Sequence, residues 1–202
     1  MPRPNRVTPF GTLIAVPERG AFMGNRGRLH DASGSLTRRR WTTKAWICCL
    51  LAFKGRRRPL MQLGRYTELF FLDEATALAA GHRPCAECRR ADFERFRAHW
   101  ASGNGLAALP RAGEMDARLH AERLQAPYIA EVVALPDGAM VELPERPGTA
   151  WLLAGGRLHA WTPGGYAESV PIPEGSARVL TPRSTVAALA AGYRPHTALP
   201  PA

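Results

Sequence analysis

The residues with the clearest chemistry are two cysteines, Cys85 and Cys88, which follow Arg83 and Pro84 in the segment RPCAEC. Two thiols at this spacing after a rigid proline turn form one half of a tetrahedral zinc site. The same spacing also occurs in redox-active cysteine pairs and by chance. No thioredoxin-like βαβ pattern surrounds the motif, so zinc is the favoured interpretation.

A short strand and a helix are predicted to lead into this cysteine pair. Leu69 to Leu72 are apolar and predict the strand, after which Asp73 stands at a helix N-cap and Glu74 in its first turn. The helix is predicted to end at Gly81, because glycine adopts the left-handed turn without Cβ strain. After the pair, Ala91 to Trp100 predicts an amphipathic helix with an aromatic stripe that packs against the knuckle.

The segment from Phe70 to Cys88, FFLDEATALAAGHRPCAEC, resembles the second half of the zinc-binding N-terminal domain of the Ada family. Ada proteins are bacterial alkylation-repair proteins that remove methyl groups from DNA phosphotriesters. In that family, two upstream cysteines in a C-R-P-x-C segment complete a four-thiolate site, and one of them accepts the methyl group. This chain lacks that segment and carries adjacent Cys48 and Cys49 instead. The resemblance implies a zinc knuckle in a nucleic-acid setting.

The further candidate metal ligands are Cys48, Cys49 and the histidines. Residues 44–53 predict a strand, in which neighbouring side chains point to opposite faces, so only one of the two cysteines readily joins Cys85 and Cys88. Both faces are apolar; Cys49 is preferred, and the other cysteine is expected in the core. The fourth ligand is then a histidine, a water molecule or a substrate atom, and His30, on a predicted neighbouring hairpin strand, is the first choice. The other candidates are His82, His99 and His120.

The excess of positive over negative charge is confined to the first half of the chain. Residues 1–100 hold 19 Lys and Arg against 8 Asp and Glu, whereas residues 101–202 hold 8 against 9. An arginine-rich codon bias does not explain this asymmetry, which favours a polyanionic partner, namely nucleic acid. The resemblance to the Ada family implies DNA. The candidate nucleic-acid-binding residues are Arg26, Arg28, Arg38, Arg39, Arg40, Lys54, Arg56, Arg57, Arg58, Arg83, Arg89 and Arg90, of which Arg26 and Arg28 lie in a glycine-rich turn suited to phosphate.

The pattern of elements predicts an α+β fold, with N-terminal β-hairpins, the Ada-like zinc knuckle and helices, followed by a small antiparallel β-rich region. The predicted division is a basic zinc-knuckle domain at 1–103, a linker at 104–114 and the β-rich region at 115–198. The chain after Pro195, and residues 199–202 in particular, is expected to be a flexible tail. No apolar run is long enough to span a bilayer and no secretory leader stands at the N-terminus, which predicts a cytoplasmic protein without a membrane partner.

The favoured function is a zinc-binding, DNA-binding protein of the repair or processing type. One alternative is a metal-dependent nuclease, a phosphodiesterase acting on DNA or RNA. A methyl-accepting thiolate and a structural zinc module for protein partners are further alternatives. The candidate catalytic residues of the nuclease are His30, Asp31, Glu68, Asp73 and His120.

Overall fold

Two six-stranded sheets and four α-helices make up the computed structural model, which describes residues 2–55 and 59–200. The architecture is α+β, as predicted. Within these ranges, no helix has both the length and the apolar character needed to cross a membrane.

The first sheet is mixed and carries Cys48 and Cys49, while Cys85 follows directly after its last strand. Its order is β2-β1-β5-β3-β4-β6, with β1 parallel to β5 and β4 parallel to β6. The β1–β2 and β3–β4 pairs are antiparallel, and the predicted strand over 44–53 is reduced to three residues. The strands are β1 (Arg6–Val7), β2 (Leu13–Ile14), β3 (Phe22–Asn25), β4 (Ile47–Cys49), β5 (Leu69–Phe71) and β6 (Arg83–Pro84).

The two helices predicted around the cysteine pair begin and end close to where the sequence signals place them. Asp73 caps α1, and its Oδ1 accepts a hydrogen bond of 2.8 Å from the backbone N–H of Thr76. Beyond α1, Gly81 takes the left-handed conformation with φ of +82°. The helices are α1 (Glu74–Ala79), α2 (Arg90–Gly103), α3 (Ala112–Arg123) and α4 (Arg183–Ala190), with a 3₁₀ turn at Val132–Ala134.

The second sheet lies in the second half of the chain and is entirely antiparallel, as predicted for the β-rich region. Its order is β11-β10-β9-β8-β12-β7. The strands are β7 (Tyr128–Glu131), β8 (Met140–Glu142), β9 (Ala150–Ala154), β10 (Arg157–Thr162), β11 (Gly165–Pro171) and β12 (Ser176–Val179).

The largest hydrophobic core is built from both halves of the chain. Leu78 and Phe96 from the first half pack in one cluster with Trp151 and Tyr193 from the second, and α2 packs against α4. The segment 104–114, predicted as a linker, joins α2 to α3, and α3 already begins at Ala112. The apolar surfaces of the chain before and after this segment are therefore buried against each other.

The segment after Pro195, expected to be flexible, is docked on the start of α1. The backbone N–H of His196 donates to Glu74 Oε2 at 2.9 Å, and that of Ala198 donates to Asp73 Oδ2 at 2.9 Å. Leu199 packs against a buried cluster that includes Met140. The buried carboxylates of Asp73 and Glu74 therefore fix a backbone segment for which the sequence predicts no regular structure. Residues 201–202 of the predicted tail lie outside the described residues.

Candidate metal centre

Parallel pairing of β4 with β6 brings the Cys48-Cys49 strand beside the knuckle. Cys48 stands opposite Pro84, and its carbonyl oxygen accepts a hydrogen bond of 2.9 Å from the backbone N–H of Cys85. Successive side chains of a strand point to opposite faces, so Cys48 and Cys49 diverge from this point. Cys49 is the one that faces the knuckle sulfurs.

Three sulfurs, those of Cys49, Cys85 and Cys88, lie within 4.8 Å of one another. A tetrahedral zinc ion with Zn–S bonds of ~2.3 Å separates its sulfurs by about 3.8 Å, so a small contraction brings all three to bonding distance. Cys49 and Cys85 are each 7% exposed, and all four cysteines of the chain are free thiols. Within residues 2–55 and 59–200, this is the one group of three or more His, Cys, Asp or Glu side chains with metal-binding spacing.

Hydrogen bonds to sulfur prepare Cys85 to be a thiolate. A hydrogen bond with the Cys49 thiol, together with the backbone N–H groups of Cys88 and Glu87, lowers the pKa of Cys85 to about 5, although burial opposes the shift. The N–H of Glu87 lies 3.4 Å from the Cys85 sulfur. The same hydrogen bond and burial raise the pKa of Cys49, and burial raises that of Cys88. N–H groups that donate to sulfur stabilise the thiolate form that binds metals.

Cys48 is a core residue. It is fully buried in a hydrophobic cluster with Val7 and Phe71, and burial raises the pKa of its thiol. Its sulfur accepts a hydrogen bond of 3.4 Å from Arg89 Nη1. Of the two adjacent cysteines, Cys49 therefore joins the sulfur cluster and Cys48 fills the interior, the arrangement that the sequence favoured.

His30, predicted as the fourth ligand, is committed elsewhere. Its Nδ1 shares a hydrogen bond of 2.7 Å with Thr67 Oγ1, and its Nε2 lies 3.1 Å from the carbonyl oxygen of Gln62. The ring is 4% exposed and is not part of the sulfur cluster. The sequence predicted that His30 lies on a strand next to that of Cys48 and Cys49. It gave no sign of the hydrogen bond with the Thr67 hydroxyl, which holds the imidazole away from the cysteines.

The other three candidate histidines also have different environments. His82 is fully buried, and its Nε2 lies 3.2 Å from Arg26 Nε. His99 Nδ1 lies 2.8 Å from the carbonyl oxygen of Ala191, and the His120 ring packs edge-on against Trp41. In the described part of the chain, no histidine completes the three-sulfur group.

The three cysteines line a cavity of about 240 Å³ together with Glu68. Glu68 is 6% exposed, and its Oε2 accepts a hydrogen bond of 2.7 Å from the backbone N–H of Met61. Of the five candidate catalytic residues, Glu68 alone lines the cavity that the sulfurs line. A carboxylate beside a three-thiolate metal site can accept a proton from a molecule bound in the cavity.

The remaining catalytic candidates make local structural contacts, and of these only the sequence neighbours His30 and Asp31 line a common groove. Asp31 is exposed, and its pKa is lowered by hydrogen bonds that its carboxylate accepts from the Ser33 hydroxyl and from the backbone N–H groups of Ser35 and Ser33. Asp73 caps α1 and also accepts a hydrogen bond of 2.8 Å from the Tyr166 hydroxyl. These contacts account for both aspartates without a catalytic role.

Three of the arginines predicted to contact nucleic acid are buried. Arg83 binds both carboxylate oxygens of Asp116 at 2.8 Å, which ties β6 to α3. Arg89 has a fully buried side chain that pairs with Glu74 at 2.9 Å. Arg26 is 2% exposed and stacks on an indole ring. Because these three arginines are buried, they cannot directly contact a nucleic-acid strand bound at the surface. Charge composition alone does not reveal such burial.

Three other predicted residues line one surface groove. Arg28, Arg38 and Arg39 surround a groove of about 610 Å³, which Asp31 also lines. The His30–Leu36 bridge closes the hairpin that carries them. Arg40, Lys54 and Arg90 are exposed at other positions, and Arg90 pairs with Glu94. The predicted contacts Arg56, Arg57 and Arg58 lie outside the described residues.

Sequence reasoning missed the buried network that holds the knuckle from behind. Glu74 pairs with Arg89, accepts a hydrogen bond of 2.7 Å from the Tyr193 hydroxyl and holds the His196 backbone. In the sequence, Glu74 has the ordinary signature of an acidic residue in the first turn of a helix. Its partners lie more than a hundred residues away in the chain, apart from Arg89, and no local signal points to them.

Comparison of the chain with protein-family models, with curated proteins and with solved structures finds no match. The three-sulfur cluster, its cavity and the basic groove are therefore interpreted from their own geometry and chemistry.

Proposed function

We propose that this chain is a zinc-binding protein that binds nucleic acid, DNA in particular, and belongs to the repair or processing type. The observation that carries the proposal is the cluster of Cys49, Cys85 and Cys88 sulfurs. Zinc is the ion that suits it best, because soft thiolates at tetrahedral spacing select zinc among the common divalent ions. The resemblance of residues 70–88 to the Ada zinc domain supports the same ion and a DNA partner.

The groove formed by Arg28, Arg38 and Arg39 is the proposed contact with nucleic acid. Guanidinium groups bind phosphate oxygens through two parallel N–H bonds, and several in one groove can follow a phosphate backbone. Phosphate contacts position a strand but carry little sequence information. We therefore expect binding with weak sequence preference.

Fluorescence anisotropy with a duplex oligonucleotide over a series of salt concentrations tests this proposal. Replacing Arg28, Arg38 and Arg39 by Gln should weaken binding and reduce the slope of log K against log salt by about 0.9 for each phosphate that is no longer neutralised. The matched control replaces three exposed arginines outside the groove, Arg95, Arg146 and Arg157, and removes the same charge.

Two results would contradict the nucleic-acid proposal. The first is an affinity for DNA that is absent or insensitive to salt. The second is an equal loss of affinity in the two triple variants, since a general charge effect would then account for binding. Metal analysis of the purified protein tests the zinc part separately, with one zinc per chain as the expected content.

A second candidate function, a metal-dependent hydrolase acting on DNA or RNA, is favoured by the position of Glu68. A zinc ion held by three protein ligands can bind a water molecule and lower its pKa towards neutrality. Glu68 lines the same cavity as the three cysteines, and its hydrogen bond from Met61 holds the carboxylate in place to accept a proton. We expect Glu68→Gln to retain zinc and DNA binding but to abolish cleavage of labelled DNA or RNA. Intact substrate with the wild-type zinc protein would argue against a hydrolase.

A further inference from the structure

A second cavity, of about 150 Å³, is lined by four arginines and by none of the four cysteines. Its walls come from the Pro9–Gly11 loop, the end of α1, the end of α3 and the connection between β12 and α4. The four arginines are Arg40, Arg123, Arg178 and Arg183. Such a concentration of cations around one small cavity favours an anion there, wherever nearby carboxylates do not neutralise the charge.

The carboxylates near this cavity are largely engaged. Glu122 is the acidic residue that lines it, and its Oε2 accepts a hydrogen bond of 2.8 Å from the Ser184 hydroxyl. Glu122 also pairs with Arg118, on its outer side along α3, at 3.5 Å. Among the lining arginines, Arg178 pairs with Glu142 at 2.8 Å. Arg123 is held more weakly: its Nη1 and Nη2 donate long hydrogen bonds of 3.4 and 3.3 Å to the carbonyl oxygen of Lys44, and its buried Nε has no hydrogen-bond partner among the residues that the structure describes.

A fifth arginine stands directly behind the cavity wall. Arg26 is buried, and its Nη1 donates a hydrogen bond of 2.8 Å to the carbonyl oxygen of Gly11, which lines the cavity. Its Nη2 has no hydrogen-bond partner within residues 2–55 and 59–200. A Cβ added at Gly11 would lie only 3.8 Å from this Nη2. The unpaired N–H groups therefore lie just beneath the cavity surface.

Arg26 and Arg123 both stack on the indole ring of Trp46. The two guanidinium carbons lie 4.1 and 4.3 Å from the centroid of its indole ring. Burial, then the charges of Arg123 and Arg40, lower the pKa of Arg26 to about 9, and burial lowers that of Arg123 to about 10. Both guanidinium groups are still protonated at neutral pH, so this part of the structure carries positive charge that it only partly compensates.

We infer that this cavity binds a phosphate-type dianion, with Arg40 and Arg123 as direct ligands and Arg26 as a buried charge that strengthens binding. The cavity is large enough for one phosphate group, and arginine is the side chain whose fork of N–H donors matches phosphate oxygens. The ligand is either free inorganic phosphate or the terminal phosphate of a nucleic-acid strand. The site is separate from the proposed metal centre and from the groove of Arg28, Arg38 and Arg39, and it does not rest on either.

Isothermal titration calorimetry of the full chain, as purified, with sodium phosphate in a phosphate-free chloride buffer tests the inference. Arg40→Gln and Arg123→Gln should each weaken phosphate binding by about 10- to 100-fold, the usual effect of losing a hydrogen bond to a charged partner. Arg146→Gln is the matched control, since Arg146 is exposed and lies outside the cavity. Because Arg40 is exposed, its variant should keep the wild-type melting temperature in the absence of phosphate.

A pair of oligonucleotides that differ only in a 5′-phosphate or a 5′-hydroxyl distinguishes the two sources of the ligand. Tighter binding of the phosphorylated strand, lost in Arg40→Gln, assigns the site to a strand end, and equal binding assigns it to the free ion. The inference is overturned if wild-type protein shows neither heat of binding nor a rise in melting temperature with phosphate. Equal weakening in Arg146→Gln would also overturn it, because only the net charge would then matter.

Discussion

The adjacent cysteines Cys48 and Cys49 allow a sharp test of the metal centre. Cys49→Ala removes one of the three clustered sulfurs, whereas Cys48→Ala removes a neighbouring sulfur that faces the hydrophobic core. The two variants lose the same atoms at consecutive positions of β4. Any difference between them in metal binding therefore reports on the direction in which each side chain points.

The expected magnitude follows from linkage between zinc binding and folding. Free zinc at 1,000 times its dissociation constant stabilises the wild-type fold by about 4 kcal/mol. For a chain of 202 residues, this corresponds to a rise in melting temperature of about 8–16 °C. Loss of a supporting hydrogen bond around a metal weakens affinity by about 10- to 100-fold, so loss of a ligand in Cys49→Ala should reach at least 100-fold. At that value, the same zinc concentration contributes only about 1.4 kcal/mol, a rise of about 3–6 °C.

Thermal unfolding with and without buffered free zinc provides the measurement, together with the metal content of each purified protein. Cys48→Ala should lose about 1 kcal/mol of intrinsic stability for the small void that it leaves, but keep the full zinc-dependent shift. Equal zinc-dependent shifts in the two variants, or a full shift in Cys49→Ala, would refute the assignment of Cys49 to the metal centre.

Three further predictions concern the surroundings of the metal centre. Glu74→Gln leaves Arg89 buried beside a neutral partner and should lower the free energy of unfolding, measured in urea, by about 3–5 kcal/mol. The ion pairs of Glu94 are solvent-exposed, so Glu94→Gln should change the free energy of unfolding by less than about 1 kcal/mol. Metal-free protein should show the ultraviolet absorbance of one thiolate at pH 7, because the pKa of Cys85 is lowered from its ordinary value of 9.0 to about 5. This absorbance should disappear as the pH falls through about 5, and an absorbance that titrates only near pH 9 would contradict the prediction. Gly24→Ala places a Cβ 2.1 Å from a carbonyl oxygen of the paired strand β4, so it should lower the free energy of unfolding by at least about 1–3 kcal/mol and lower the melting temperature. An unchanged melting temperature would show that β3 and β4 lie farther apart than the structure has them.

Features decided by near neighbours in the sequence were predictable. Asp73 at the N-cap, the left-handed Gly81 and the spacing of Cys85 and Cys88 each depend on a few consecutive residues, and the structure has them where the sequence indicated. The choice of Cys49 needed one further fact, the parallel pairing of β4 with β6. Strand alternation reduced that choice to two faces, but both faces were apolar, so only the fold could decide.

Features decided by distant partners were not predictable. His30 is held by Thr67, and Arg83 by Asp116, each more than thirty residues away. The sequence showed that the first half is rich in arginine, but not which guanidinium groups are neutralised inside the protein. Burial of Arg26 was hidden in the same way, because its segment has the composition of an exposed glycine-rich turn.

The two acidic residues at the start of α1 have a consequence for how the protein can be divided. Asp73 and Glu74 lie in the first half of the chain, yet they receive hydrogen bonds from Tyr166, Tyr193 and the backbone near Ala198. A fragment that stops at residue 103 would lose these donors and would uncover the apolar faces of α1 and α2. The cysteine knuckle should therefore lose its shape when separated from the C-terminal sheet, even though every sulfur of the cluster would still be present.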